Sequence, residues 1–233
     1  CGVNATPVSP CALSAVMALV GCVVDKVEEV VKCMDSGVDG VEQRDHFVEC
    51  DLLVSFKRNQ KFVEEVAIPG CTLNYPAGKQ RFVSICGDGS LLIVNLNVQG
   101  KETERKSIPF FKVQEKDFVF ERAAENNGTY YFATFKGNLY SVDMKQKEIQ
   151  VNGPWELLSE DEKKQNWRPG GWQLITVNPG SNHLFILMHP DAYNGSHKDP
   201  SDTIWVYDLK TKKKIATLKS KVPLWSIHAS VDK

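Results

Sequence analysis

The chain has 233 residues, 42% hydrophobic and 24% charged, which is enough apolar material for a sizeable core and outside the composition of disordered chains. Its 28 basic and 29 acidic side chains nearly cancel, leaving a net charge of -1, and no basic stripe with interleaved aromatics is present. Nucleic acid and anionic membrane surfaces are therefore not expected as main partners.

The first residue is Cys1, not methionine, so a processed chain or a fragment is expected. The longest apolar stretch, Ala12 to Val24, is too short to span a bilayer, is interrupted by Ser14 and Gly21, and has no basic flank, so no membrane span is read there. From Ser9 to Met34 the pattern is helical. Ser9 can cap and Pro10 suits the first helical position. Val20, Val23, Val24, Val27, Val30, Val31 and Met34 keep the i, i+3, i+4 spacing, and Gly37 is the stop. Cys11, Cys22 and Cys33 recur every 11 residues, about three helical turns, which puts them along one helix face and too far apart to bond one another. Buried helix-face thiols are the leading reading, with disulfides to Cys1, Cys50 or another chain as the alternative. Seven cysteines suggest an oxidising compartment, and the odd number leaves at least one without an intrachain partner. Cys71 and Cys86 are the best intramolecular pair, since each sits at the edge of a strand-like run with Asn74-Tyr75-Pro76-Ala77-Gly78-Lys79 as a turn between them.

From about Asp51 onward the period becomes that of strands. The runs 52–56, 81–85, 91–96, 129–135, 139–144, 172–177, 183–188 and 203–209 are short, rich in β-branched and aromatic residues, and bounded by turn-forming clusters. A strand that ends in a small polar residue, a hydrophobic residue and a Lys- or Gly-rich turn repeats at Ser55, Asn95, Asp143 and Asp208, at intervals of 40, 48 and 65 residues. The first two intervals suit a four-stranded propeller blade, and the third is lengthened by a polar insert that starts a helix at Ser159-Glu160-Asp161-Glu162. The expected fold is all-β: a partial β-propeller over residues 51–233, preceded by a helical, cysteine-containing segment over residues 1–50. A sandwich is the weaker alternative.

The polar residues offer little chemistry by themselves. His46, His183, His189, His197 and His228 show no H-x-x-x-H spacing, and no C-x-x-C exists, so neither catalytic nor metal-binding residues are assigned. Gly87-Asp88-Gly89 reads as a hairpin turn, because no helix follows it to make a phosphate loop. Arg168, between Trp167 and Pro169, could stack on a ring or hold a carboxylate, but the adjoining Pro169, Gly170 and Gly171 favour a structural role for the element.

Between Lys61 and Ile227 the order of features is specific: I-P-G-C at Cys71, C-G-D-G-S-L at Cys86, T-F-K-G-N-L-Y-S-V-D at 134–143, L-L-S-E-D-E-K at 157–163, W-R-P-G-G-W-Q at 167–173 and G-S-H-K-D-P at 195–200. This series resembles the heavy subunit of the bacterial quinone-dependent amine dehydrogenases, the methylamine and aromatic amine enzymes. The stretch from His189 to Trp205 looks closer to the aromatic amine branch. The first fifty residues match nothing in that family. The resemblance implies about three blades plus half-blades of a seven-bladed propeller, and a disulfide between Cys71 and Cys86. It also implies a periplasmic or secreted enzyme that oxidises primary amines to aldehyde and ammonia. In that family tryptophan tryptophylquinone is built on the small subunit and electrons pass to a copper protein or cytochrome. The heavy subunit carries no cofactor of its own, so this chain is expected to bind the quinone-bearing small subunit and to be inactive alone. A non-catalytic propeller scaffold is the alternative.

Overall fold

The structure is a computed structural model in which residues 27–33, 50–56 and 61–230 are described. The first sheet is antiparallel, with β1 (Val27–Cys33), β2 (Cys50–Phe56) and β3 (Lys61–Ala67) side by side. The second runs β4 (Cys71–Pro76), β5 (Arg81–Cys86), β6 (Ser90–Leu96), β7 (Glu102–Pro109), and the third β8 (Ala124–Asn126), β9 (Thr129–Ala133), β10 (Asn138–Asp143), β11 (Gln150–Glu156). The fourth is built from β12 (Arg168–Pro169), β13 (Ile175–Asn178), β14 (His183–His189), β15 (Ser201–Asp208) and β16 (Lys213–Leu224), with β12 and β13 sharing one edge of β14. Four-stranded antiparallel meanders succeeding one another along the chain are the building plan of propeller blades. The fold is all-β, a partial propeller. The chain divides into two compact units between Pro109 and Phe110.

The repeat read from the sequence marks the same place in each sheet. Asn95, Asp143 and Asp208 close the third strands β6, β10 and β15, and Ser55 lies at the end of β2, just before the chain turns into β3. At Asp143 and Asp208 the chemistry is that of a turn, because a short polar side chain can bond the backbone that follows it, whereas in the second sheet Asn97 takes that role, its Oδ1 accepting from the N–H groups of Gln99 and Lys101. Asp208 Oδ1 accepts from the N–H groups of Lys210 and Thr211 at 2.7 and 2.9 Å, and Asp143 Oδ1 from that of Lys145 at 3.1 Å. The β9–β10 turn is held from elsewhere, by the buried Asp117: Thr134 Oγ1 and Asn138 Nδ2 donate to it at 2.8 Å and the Lys136 N–H at 2.7 Å.

In the first unit Val66, Ile68, Phe82, Leu92 and Val94 pack around Cys71 and Cys86, which are joined in a disulfide (S–S 2.01 Å). The two cysteines face each other directly across β4 and β5, as the resemblance implies. In the second unit one core joins the third and fourth sheets, with Phe120, Ala133 and Leu139 packed with Leu174, Ile186 and Tyr207. The helix expected at Ser159 is α1 (Glu160–Lys164), where Ser159 and Glu162 form a reciprocal capping box.

One expected element is corrected. The helix drawn from Ser9 to Met34 fails over Val27–Cys33, which is strand β1, in register with Cys50–Phe56. Three valines in seven residues lose rotamer freedom in a helix and suit a strand once an antiparallel partner is available. The same strand carries the first sheet back past residue 50. The rest of that helix, and the proposed alignment of Cys11 with Cys22, lie outside the described residues. Two expected runs are also shorter: β9 stops at Ala133, and in 172–177 the ladder begins only at Ile175.

Candidate functional site

The two most specific sequence elements, W-R-P-G-G-W-Q and G-S-H-K-D-P, meet in space. Arg168 and Pro169 pair with His189 and Met188 as a short first piece of the inner strand. The chain then leaves the ladder at Gly170 and Gly171 and returns at Ile175. The reason for the glycines is steric. A Cβ at Gly170 would lie 2.7 Å from His189 Cδ2 and 2.9 Å from the carbonyl oxygen of Asp199, and Gly171 has φ +120° with the Trp225 carbonyl 2.9 Å from where its Cβ would be. Freed from side chains, the backbone can bond on both sides: Gly171 N–H donates to the His197 carbonyl at 3.1 Å, and Trp172 N–H to that of Trp225 at 2.7 Å.

His197 is therefore placed by its backbone and by its ring, which stacks on Phe135 at 4.3 Å and 11°. Burial lowers its pKa, with Lys198 adding to the effect, so the imidazole is neutral at pH 7. His189 contacts Pro190 O through Nδ1 at 3.3 Å, and its buried Nε2 meets no hydrogen-bond partner among the described residues. The two histidines lie on either side of the Gly170–Gly171 turn but share no ligand geometry. Among the described residues no cluster of three or more His, Cys, Asp or Glu side chains is arranged for a metal ion. Among the described residues the Arg168 side chain meets no ion-pair or ring partner; Arg122 instead lies over a ring of this site, 5.6 Å from the centroid of Trp172.

The tryptophans divide into two kinds. Trp205 is buried, with Trp167 against it at 5.0 Å and the Lys214 ammonium 3.7 Å from its centroid, while Lys214 also pairs with Glu162. Trp155 packs edge-on against Tyr207. All three pack against neighbouring side chains. Trp172 and Trp225, by contrast, stand 56% and 51% exposed and line an open hollow with Ser226. An exposed pair of large aromatics with an arginine over one of them has the residue types that dominate protein interfaces. Sequence reasoning found Trp172 as part of its motif; Trp225 and Arg122 carry no motif and reach the site only through the fold.

The family model for the methylamine dehydrogenase heavy chain (MADH) matches residues 52–233. The chain belongs to this family. It is 29% identical over 173 residues to the methylamine dehydrogenase heavy chain of Methylorubrum extorquens, an alignment covering 74% of this chain and 42% of the relative. It is 30% identical over 158 residues to that of Methylobacillus flagellatus, covering 67% and 39%. The chain thus spans about two fifths of the length of these relatives. Among solved structures it is similar to the β-propeller domain of Cps50 (Swd1) from Myceliophteria thermophila, with a TM-score of 0.45 and 11% identity over 77% of this chain and 52% of that one.

The tryptophan pair in ring contact, Trp167 and Trp205, is packed beneath Lys214, with Trp205 only 2% exposed. No helix among the described residues is long and apolar enough to cross a membrane.

Proposed function

We propose that this chain serves as the heavy-subunit part of a periplasmic amine dehydrogenase, binding a small subunit that carries tryptophan tryptophylquinone. The complex would oxidise a primary amine to aldehyde and ammonia and pass electrons to a copper protein or cytochrome. The observation that carries this reading is the family match over residues 52–233. The exposed Trp172–Trp225 pair supports it, since a heavy chain without its own redox centre contributes by contact, and aromatic residues beside an arginine are suited to that task. We further propose that residues 51–233 are the family-derived propeller part and that residues 1–50 are a cysteine-containing segment of unknown origin, from which Val27–Cys33 joins the first sheet.

The test is reconstitution. Mixed with the small subunit of an aromatic amine or methylamine dehydrogenase, the chain is expected to form a complex that reduces dye when amine is added. The chain alone should show neither quinone absorbance nor amine-dependent dye reduction. Activity in the isolated chain would place a redox centre on it and overturn the division of labour; failure to bind any such subunit would favour a non-catalytic scaffold.

A further inference from the structure

A second concavity lies within the 110–233 unit, away from the tryptophan pair. Strand register puts its residues on one face of the third sheet. Ser141 lies opposite Tyr131 on β9 and Asn152 on β11, Leu139 lies opposite Trp155, and residues two apart on a strand point the same way. Between those pairs the β10–β11 ladder slips, so that Tyr140 is met by two residues, Gly153 and Pro154. Such a bulge bends the outer strand. Gly153 can occupy it because it has φ +132° and a Cβ there would come within 2.9 Å of the Leu139 carbonyl. The turn from Leu209 to Lys212, between β15 and β16, closes the opposite side, and the cavity holds about 310 Å³. That is at the lower end of the range for small-molecule sites, roughly 300–1,000 Å³.

Its chemistry is one-sided. The Lys212 ammonium lies 5.9 Å from the centroid of Trp155, and no acidic side chain is among the lining residues. Burial raises the pKa of Tyr131, so its hydroxyl keeps its proton at neutral pH and can donate. Ser141 and Asn152 add a hydroxyl and an amide. An ammonium ligand would meet Lys212 with no carboxylate to offset it. A plain hydrocarbon would desolvate Lys212, Ser141 and Asn152 without pairing them. An anion on a flat apolar body answers both demands, with its charge at Lys212 and its ring along Trp155.

We propose that the cavity between the third sheet and the Leu209–Lys212 turn binds a small aromatic carboxylate. The proposal rests on the cavity and its charge and does not depend on the heavy-subunit reading; no small subunit enters its test. Isothermal titration calorimetry of the full chain would use phenylacetate, its neutral analogue phenylacetamide and the cation phenethylammonium. Phenylacetate is expected to bind at least about tenfold more tightly than the other two. Lys212→Gln should bring phenylacetate to the level of the amide, while Lys210→Gln, in the same turn but outside the cavity lining, should leave its affinity unchanged. Ser141→Ala, which shortens the chain by one hydroxyl and leaves the turn intact, should weaken phenylacetate severalfold. Absence of saturable phenylacetate binding to the folded wild-type chain would overturn the proposal, as would equal affinity for acid and amide or equal loss in the two lysine variants.

Discussion

Cys71 and Cys86 illustrate how a single pair of residues acts on both ends of the folding equilibrium. They are 15 residues apart and sit opposite each other in the β4–β5 ladder, so the bond restricts the unfolded chain while fitting the folded one. Replacing both with serine is expected to lower stability by about 3 kcal/mol, the loop-closure value for that separation, measured by denaturant unfolding, with m rising as the unfolded chain loses its cross-link. His197 is a residue whose effect depends on pH. Burial and Lys198 lower its pKa while Glu121 and Asp199 pull weakly the other way. In the unfolded chain it titrates near the ordinary value of about 6.5. A histidine with a depressed folded pKa contributes stability that is present above the unfolded pKa and is lost as pH falls below it toward the folded value. Unfolding free energy should therefore decline below about pH 6.5. His197→Phe, which keeps the stack on Phe135, should flatten that part of the profile, and an NMR titration should place the His197 midpoint below that of a model peptide.

At the scale of elements, the strands that were easy to find in the sequence are the inner ones. β5, β6, β10, β14 and β15 are largely buried, and their β-branched and aromatic runs stand out. The outer strands β7, β11 and β16 are mostly exposed and read as polar, lysine-rich or broken by proline, so no apolar period announces them. They are strands because β6, β10 and β15 offer a ladder beside them. The same polar, charged character is how an exposed sheet edge avoids pairing with other chains. Local signals did locate the punctuation between elements. Ser159→Ala should cost about 1 kcal/mol by removing the capping box of α1. Gly171→Ala should cost roughly 1–3 kcal/mol, since alanine rarely adopts a strongly positive φ. The alanine would also be driven toward the Trp225 carbonyl, so the tryptophan pair should be displaced, visible as a shift in fluorescence emission.

For the whole molecule, the decisive question is which surface a partner covers. If the Trp172–Trp225 face contacts the small subunit, the double variant Trp172→Ala, Trp225→Ala should weaken that complex at least about a hundredfold, the scale of an aromatic hot spot lost twice, with the thermal midpoint of the isolated chain little changed because both rings are exposed. Binding unaltered by the double variant would move the contact elsewhere on the propeller. The variant also separates the two sites: it should leave phenylacetate binding at Lys212 untouched, since neither tryptophan lines that cavity.

Composition, the spacing of Ser55, Asn95, Asp143 and Asp208, and the ordered run of motifs were sufficient for the all-β class, the blade repeat and the family, because turn chemistry and inner-strand hydrophobicity are local properties of the chain. The strand at Val27–Cys33 was not legible, since valines at i, i+3 and i+4 satisfy a helical period as well as a β-branched run, and only the partner strand Cys50–Phe56 decides between them. Nor could the sequence show that Gly171 would be held by the His197 carbonyl, that Trp225 would come to rest beside Trp172, or that Lys212 would overhang Trp155. Each of these joins residues far apart in the chain, and such contacts are set by how sheets pack and where a ladder slips, which no single stretch of sequence encodes.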